Sequence, residues 1–152
     1  MEGTDMTLVA EGYLMGYRNH LGCAAQMEDW MAEAELEDAG KYDYLAKERE
    51  KTLRRAEDCR KELRAFLDRL GDGNDLRVQR YRTALRLYYC ELMSWSEVRR
   101  HLRPLVLRKG VAEADPRRGP GVSKTAMLRI REEALQAVEE ALMDLGGPGQ
   151  TP

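Results

Sequence analysis

The chain has 152 residues, 43% hydrophobic and 34% charged, and its Lys and Arg nearly balance its Asp and Glu to give a net charge of −2. That length allows one ordinary domain, or a small domain with a helical extension, and the apolar share suffices for a modest core. No run of about 18 uncharged apolar residues occurs, so no membrane-spanning helix is expected. The opening "MEGTDMTLVAEG" lacks a basic stretch ahead of an apolar one, so it does not read as a secretory leader, and a cytoplasmic location is expected.

Abundant Ala, Leu, Glu, Arg and Met with few β-branched residues predict an all-α protein. Cys23, Cys59 and Cys90 are far apart and odd in number. With only two histidines, neither beside a cysteine pair, they fit neither a disulfide framework nor a zinc site and read as small core thiols in a reducing compartment. No metal and no cofactor is expected. His20 and His101 stand alone, and neither "GDGND" nor "GPGVSKT" has the spacing of a phosphate-binding loop, so nothing points to catalysis.

The small net charge conceals an asymmetry. Residues 1–75 carry 11 Lys/Arg against 18 Asp/Glu, whereas residues 76–131 carry 14 against 4, a local charge of +10. Such a concentration is what a surface for a polyanion requires, although a solvated helix face has the same composition.

The first half predicts two long helices, together a helical hairpin or short coiled coil over residues 1–71. From Met6, with Asp5 as N-cap, Val9, Tyr13, Tyr17, Ala24, Met27 and Met31 recur at helical steps, and Gly40 reads as the residue that ends this helix. A second helix over about 42–70 carries the stripe Leu45, Leu53, Ala56, Leu63, Leu67 and Leu70, interrupted by Arg49 and Arg60. This narrow stripe needs a partner, either the first helix or another copy of the chain. "GDGND" at 71–75 marks a turn and a domain boundary.

From Leu76 a third helix is expected to run to about Glu91, with Leu76, Tyr81, Leu85, Tyr88 and Tyr89 as core candidates. Ser94 and Glu97 in "SWSE" form a capping box for a helix from Trp95. Residues 107–121, "LRKGVAEADPRRGPG", read as an irregular basic loop. A last helix is expected from the cap Ser123 to about Leu145, with Met127, Ile130, Ala134, Leu135, Val138 and Leu142 inward, and the tail 146–152 is expected to be disordered by composition.

In "YRTALRLYYCELMSWSEVRRHL" followed by "GVSKTAMLRIREEALQAVEEAL", residues 76–145 resemble the region 4 helix-turn-helix of sigma-70-type factors. They are closer still to small phage and prophage regulators of the ArpU and RinA type. The resemblance implies a non-enzymatic transcriptional regulator that binds double-stranded DNA. Its recognition helix would present Ser123, Lys124, Thr125, Leu128, Arg129 and, further in, Arg131. Arg99, Arg100 and Arg103 would lie near the DNA backbone, and Trp95 and Val98 would fill a small core with Leu85, Tyr88, Leu102, Met127 and Ile130.

Two departures stand out. Arg99 occupies a position where the family has a small residue, so its side chain must turn outward or the helices must separate. Residues 103–121 replace a turn of only a few residues. They could form a basic wing that adds phosphate contacts through Arg108, Lys109, Arg117 and Arg118, or mean that this is not a DNA-reading pair. The acidic hairpin would serve homodimerisation or contact with RNA polymerase. The rival reading is a helical protein-binding adaptor without DNA binding.

Overall fold

A computed structural model describes residues 9–102, 106–108, 111–112 and 121–144. The expected helix start at Met6 and the tail 146–152 lie outside the described residues. The architecture is built from helices, as composition demanded. A helical turn at 9–14 feeds helix α1 (Gly16–Glu37) without a break in hydrogen bonding, since the Met15 N–H donates to the Glu11 carbonyl at 2.9 Å and Asn19 to Met15 at 2.8 Å. Helix α2 (Ala39–Asp68) returns antiparallel along α1.

The reversal takes a single residue. Asp38, not Gly40, breaks the run: its φ of −154° and ψ of 105° are extended, and its carboxylate accepts from Gly40 N and Lys41 N at 3.0 and 3.2 Å. An aspartate that caps the next helix satisfies two open donors at once, so Gly40 stays inside α2 and the expected glycine break is corrected.

The seam of α1 also differs from expectation. Val9 and Tyr13 are exposed, and the residues buried along this side are Ala10, Leu14, Ala24 and Ala34, three of them alanines. Tyr13 sits edge-on to Phe66 at 5.1 Å. A Cβ on Gly16 would meet Cys59 Sγ at 2.7 Å, so this glycine sets the helix spacing. On α2 the stripe Leu45, Ala56, Leu63 and Leu67 is buried as expected, with Thr52 in place of Leu53, its hydroxyl donating to the Glu48 carbonyl at 2.9 Å. Arg49, which interrupts the heptads, forms an ion pair with Glu28 across the hairpin.

Helix α3 (Leu76–Leu85) starts from the Asp75 cap and then widens into a π-turn, Arg86–Cys90, where the sequence promised uninterrupted α-helix. Widening frees carbonyls, and arginines from the hairpin take them. Arg18 Nε and Nη2 donate to the Tyr88 carbonyl at 3.1 and 2.9 Å, Nη2 also reaches the Met93 carbonyl at 3.0 Å, and Arg60 donates to the Cys90 carbonyl at 3.2 Å. Leu76 is exposed rather than in the core.

Helix α4 (Trp95–His101) begins with both halves of the Ser94–Glu97 capping box in place. Strands β1 (Val106–Arg108) and β2 (Val111–Ala112) then pair antiparallel inside the segment that the sequence suggested was irregular. With three and two residues they are too short to show an alternating pattern. Helix α5 (Lys124–Asp144) completes the described chain.

Two connected cores hold these parts. One joins the open end of the hairpin (Ala10, Leu14, Leu63, Leu67, Leu70) to α3 and α5 (Leu85, Tyr89, Ala134, Leu135, Val138), so hairpin and bundle are packed together. The other gathers Ala84, Val98, Leu102, Val122, Ala126, Met127 and Ile130 under α4 and the start of α5. Trp95 and Tyr88 flank both, stacked at 4.1 Å and 11°, which gives Trp95 the packing role expected of it.

Candidate nucleic-acid interface

The site rests on how α4 meets α5. Leaving α4 at Leu102, the chain returns at Gly121 directly onto the helix it left. Val122 N–H donates to the Arg99 carbonyl at 3.2 Å, and Arg99 Nη1 donates back to the Val122 carbonyl at 3.1 Å. Gly121 has φ +106°, and a Cβ there would stand 2.6 Å from the Arg99 carbonyl oxygen and 2.9 Å from Arg100 Cα. No side chain fits such an approach, and the conformation is one that L-residues avoid. The close approach is made by Gly121, while the Arg99 side chain turns aside and holds the returning segment.

Ser123 then caps α5, its hydroxyl accepting from Ala126 N–H at 3.1 Å. The first turns of α5 divide by the helical period. Ala126, Met127 and Ile130 are buried, while Lys124, Thr125, Leu128 and Arg129 are exposed. Leu128 keeps 62% of its surface exposed among polar neighbours, so it is not placed for the core. No acidic residue occurs from Gly121 to Arg131, and the helix N-terminus adds its own partial positive charge. Arg129 lies 4.0 Å from Glu133 in an exposed pair, which screening makes weak.

The structure thus brings Ser123, Lys124, Thr125, Leu128 and Arg129 together on one surface at the start of α5, with exposed Arg100 on neighbouring α4. Arg131 is turned away from it. Its guanidinium lies 5.0 Å over the Trp95 ring and 3.1 Å from Glu11, so it ties α5 to the N-terminal helix rather than joining the surface expected of it. Two positions beyond Arg129 is roughly 200° around a helix, which is why the two arginines diverge. Arg103, Lys109, Arg117 and Arg118 lie outside the described residues, and of Arg108 only the backbone, in β1, is described.

Sequence reasoning missed Gly121 and Val122. "GPG" ahead of "VSK" was the available signal, since Gly–Pro pairs mark a turn and glycine permits a close backbone approach.

Elsewhere, a cleft of about 570 Å³ is lined by Tyr13, Glu62, Phe66, Arg69, Ala141 and Asp144 among others, without histidine, cysteine or serine. Burial and the Glu62 carboxylate raise the Tyr13 phenol pKa. Among the described residues no group of three or more His, Cys, Asp or Glu is placed to hold a metal ion, and no helix is long and apolar enough to cross a membrane. The chain matches no family model, no curated protein and no solved structure.

Proposed function

We propose that this chain is a DNA-binding transcriptional regulator of phage or prophage type, acting without catalysis, with α4 and α5 as its helix-turn-helix. One observation carries the reading. Gly121 brings the chain back onto α4, so α5 starts against the end of α4 as the second helix of a DNA-reading pair does, despite the long insertion.

In this reading the start of α5 enters the major groove. Lys124 and the Ser123 end of the helix contact phosphate, Arg129 reads guanine through its paired donors, and exposed Leu128 packs on a thymine methyl group. Thr125 lies between them and reaches either a base edge or a phosphate. Arg100 holds the flanking backbone, and the β1–β2 ribbon between α4 and α5 in the chain is a wing.

Anisotropy of a labelled random-sequence duplex across a salt series tests this. Each phosphate contact contributes about 0.9 to the slope of log affinity against log salt. Lys124→Ala/Arg129→Ala should weaken binding and, through the lost Lys124 contact, make that slope shallower by about one. Failure of the wild-type chain to bind at low salt would leave the adaptor reading in its place.

A further inference from the structure

The chain is strained where it leaves α3 and the π-turn. Among the described residues Leu92 is the one non-glycine with a positive φ, +61°. A bulky side chain is unfavourable there because its Cβ crowds the following carbonyl oxygen, and helices that end through a left-handed residue have glycine or asparagine at that place. Packing gives no reason for a leucine: Leu92 is 41% exposed and lies outside both cores. The closing hydrogen bonds are widened as well. Glu91 N–H donates to the Arg86 carbonyl at 2.9 Å and Met93 N–H to the Leu87 carbonyl at 3.0 Å, so the last bond spans one position more than in the usual glycine-ended helix.

Such a conformation persists only where its surroundings over-determine it. Here two arginines of the hairpin do so. Nη2 of Arg18, on α1, spans the Tyr88 and Met93 carbonyls at 2.9 and 3.0 Å, with the guanidinium 4.1 Å over the Tyr88 ring. Arg60, on α2, donates to the Cys90 carbonyl at 3.2 Å and to the Glu91 carboxylate at 3.1 Å. These partners, Tyr88, Cys90, Glu91 and Met93, stand on both sides of Leu92. Helix α4 begins where they end: its cap Ser94 follows Met93 directly, and its first residue Trp95 stacks on Tyr88 at 4.1 Å. The direction in which the chain enters α4 therefore depends on the Leu92 backbone.

We propose that Arg86–Met93 is a strained joint which the hairpin holds in one setting. While the Arg18 fork and Arg60 are seated, Leu92 stays left-handed and α4 keeps its heading. When the Arg18 fork is withdrawn, Leu92 relaxes to negative φ and the start of α4 turns with it. An event on α1 that moves this guanidinium is in this way passed to α4. The joint rests on backbone geometry and does not depend on DNA reading by α5.

Urea unfolding of full-chain variants in a double-mutant cycle tests it. At an ordinary position alanine is more stable than glycine, whereas at a position held at positive φ the order reverses. Leu92→Gly should therefore have an unfolding constant about fivefold lower than Leu92→Ala. Both variants lose the leucine side chain, so their difference reads the backbone alone. Adding Arg18→Lys, which keeps the charge but lacks the fork, should shrink that gap below about twofold or invert it, because φ is then free to relax. In a Trp30→Phe chain Trp95 is the remaining tryptophan, and Arg18→Lys should shift its emission to the red and raise its quenching by acrylamide. Leu92→Ala as stable as Leu92→Gly, or a gap that survives Arg18→Lys, overturns the proposal. Trp95 emission and quenching untouched by Arg18→Lys overturn the link to α4.

Discussion

Replacing Gly121 by alanine probes the joint on which the proposed DNA-reading geometry rests. The new Cβ would lie 2.6 Å from the Arg99 carbonyl oxygen and 2.9 Å from Arg100 Cα, both backbone atoms of a packed helix that cannot swing aside as a side-chain tip can. It would also hold φ near +106°. A residue in that region costs on the order of 1–3 kcal/mol, and forcing extra volume into a packed contact costs about 1–3 kcal/mol more. Partial relaxation shares these terms, so a net loss of about 2–4 kcal/mol is expected, against a typical total of about 5–15 kcal/mol. For a chain of this size each kcal/mol moves the melting midpoint by about 2–4 °C, so Gly121→Ala should melt roughly 5–15 °C below wild type.

Thermal unfolding followed by circular dichroism reads this directly, with Gly22→Ala as the control. Gly22 lies within α1, and a Cβ there would meet no atom within 4 Å, so alanine should raise stability by up to about 1 kcal/mol through helix propensity. A Gly121→Ala protein that melts with wild type would refute the claim that the insertion closes on α4 through this glycine.

Gly16→Ala should destabilise despite its helical position, because the 2.7 Å approach to Cys59 Sγ outweighs the propensity gain; Cys59→Ala in the same chain should recover most of the loss in a double-mutant melt. Arg18→Ala leaves the Tyr88 and Met93 carbonyls without their donor and removes the guanidinium 4.1 Å over the Tyr88 ring. It should cost about 2 kcal/mol in denaturant unfolding, and Arg18→Lys should not restore it, since an ammonium lacks the planar fork that spans both carbonyls. Burial, aided at Tyr81 by its bond to Glu133, pushes the Tyr81 and Tyr89 phenols up to about 12 from 10.0. Folded-state values above the unfolded ones mean that this contribution is intact below pH 10 and lost as pH climbs from 10 to about 12. Alkaline unfolding curves of Tyr81→Phe/Tyr89→Phe should therefore fall less steeply over that window than those of wild type.

Features with strictly local causes were legible in the sequence. Ser94 and Glu97 form their capping box, Ser123 caps α5, and the inward positions Met127, Ile130, Ala134, Leu135 and Val138 follow from the 3.6-residue period alone. Features that depend on what another element supplies were not legible. Both Asp38 and Gly40 can end a helix, and the choice fell to the residue that also starts the next one. The π-turn at Arg86–Cys90 has its carbonyls satisfied by arginines 30 or more positions away, which no local window contains. The helical period alone sets Arg131 and Arg129 on different sides of α5, but that Arg131 braces the fold depends on Trp95 and Glu11, which no local window contains.

DNA reading by the start of α5 is tested most directly by the amide chemical shifts of isotope-labelled protein titrated with duplex DNA at low salt. The expected result is a set of perturbed amides around Ser123, Lys124, Thr125, Leu128 and Arg129, with Arg100 on α4, while the tip of the hairpin around Asp38 keeps its shifts. Perturbations gathered on the hairpin with none at the start of α5, or none anywhere, would contradict it.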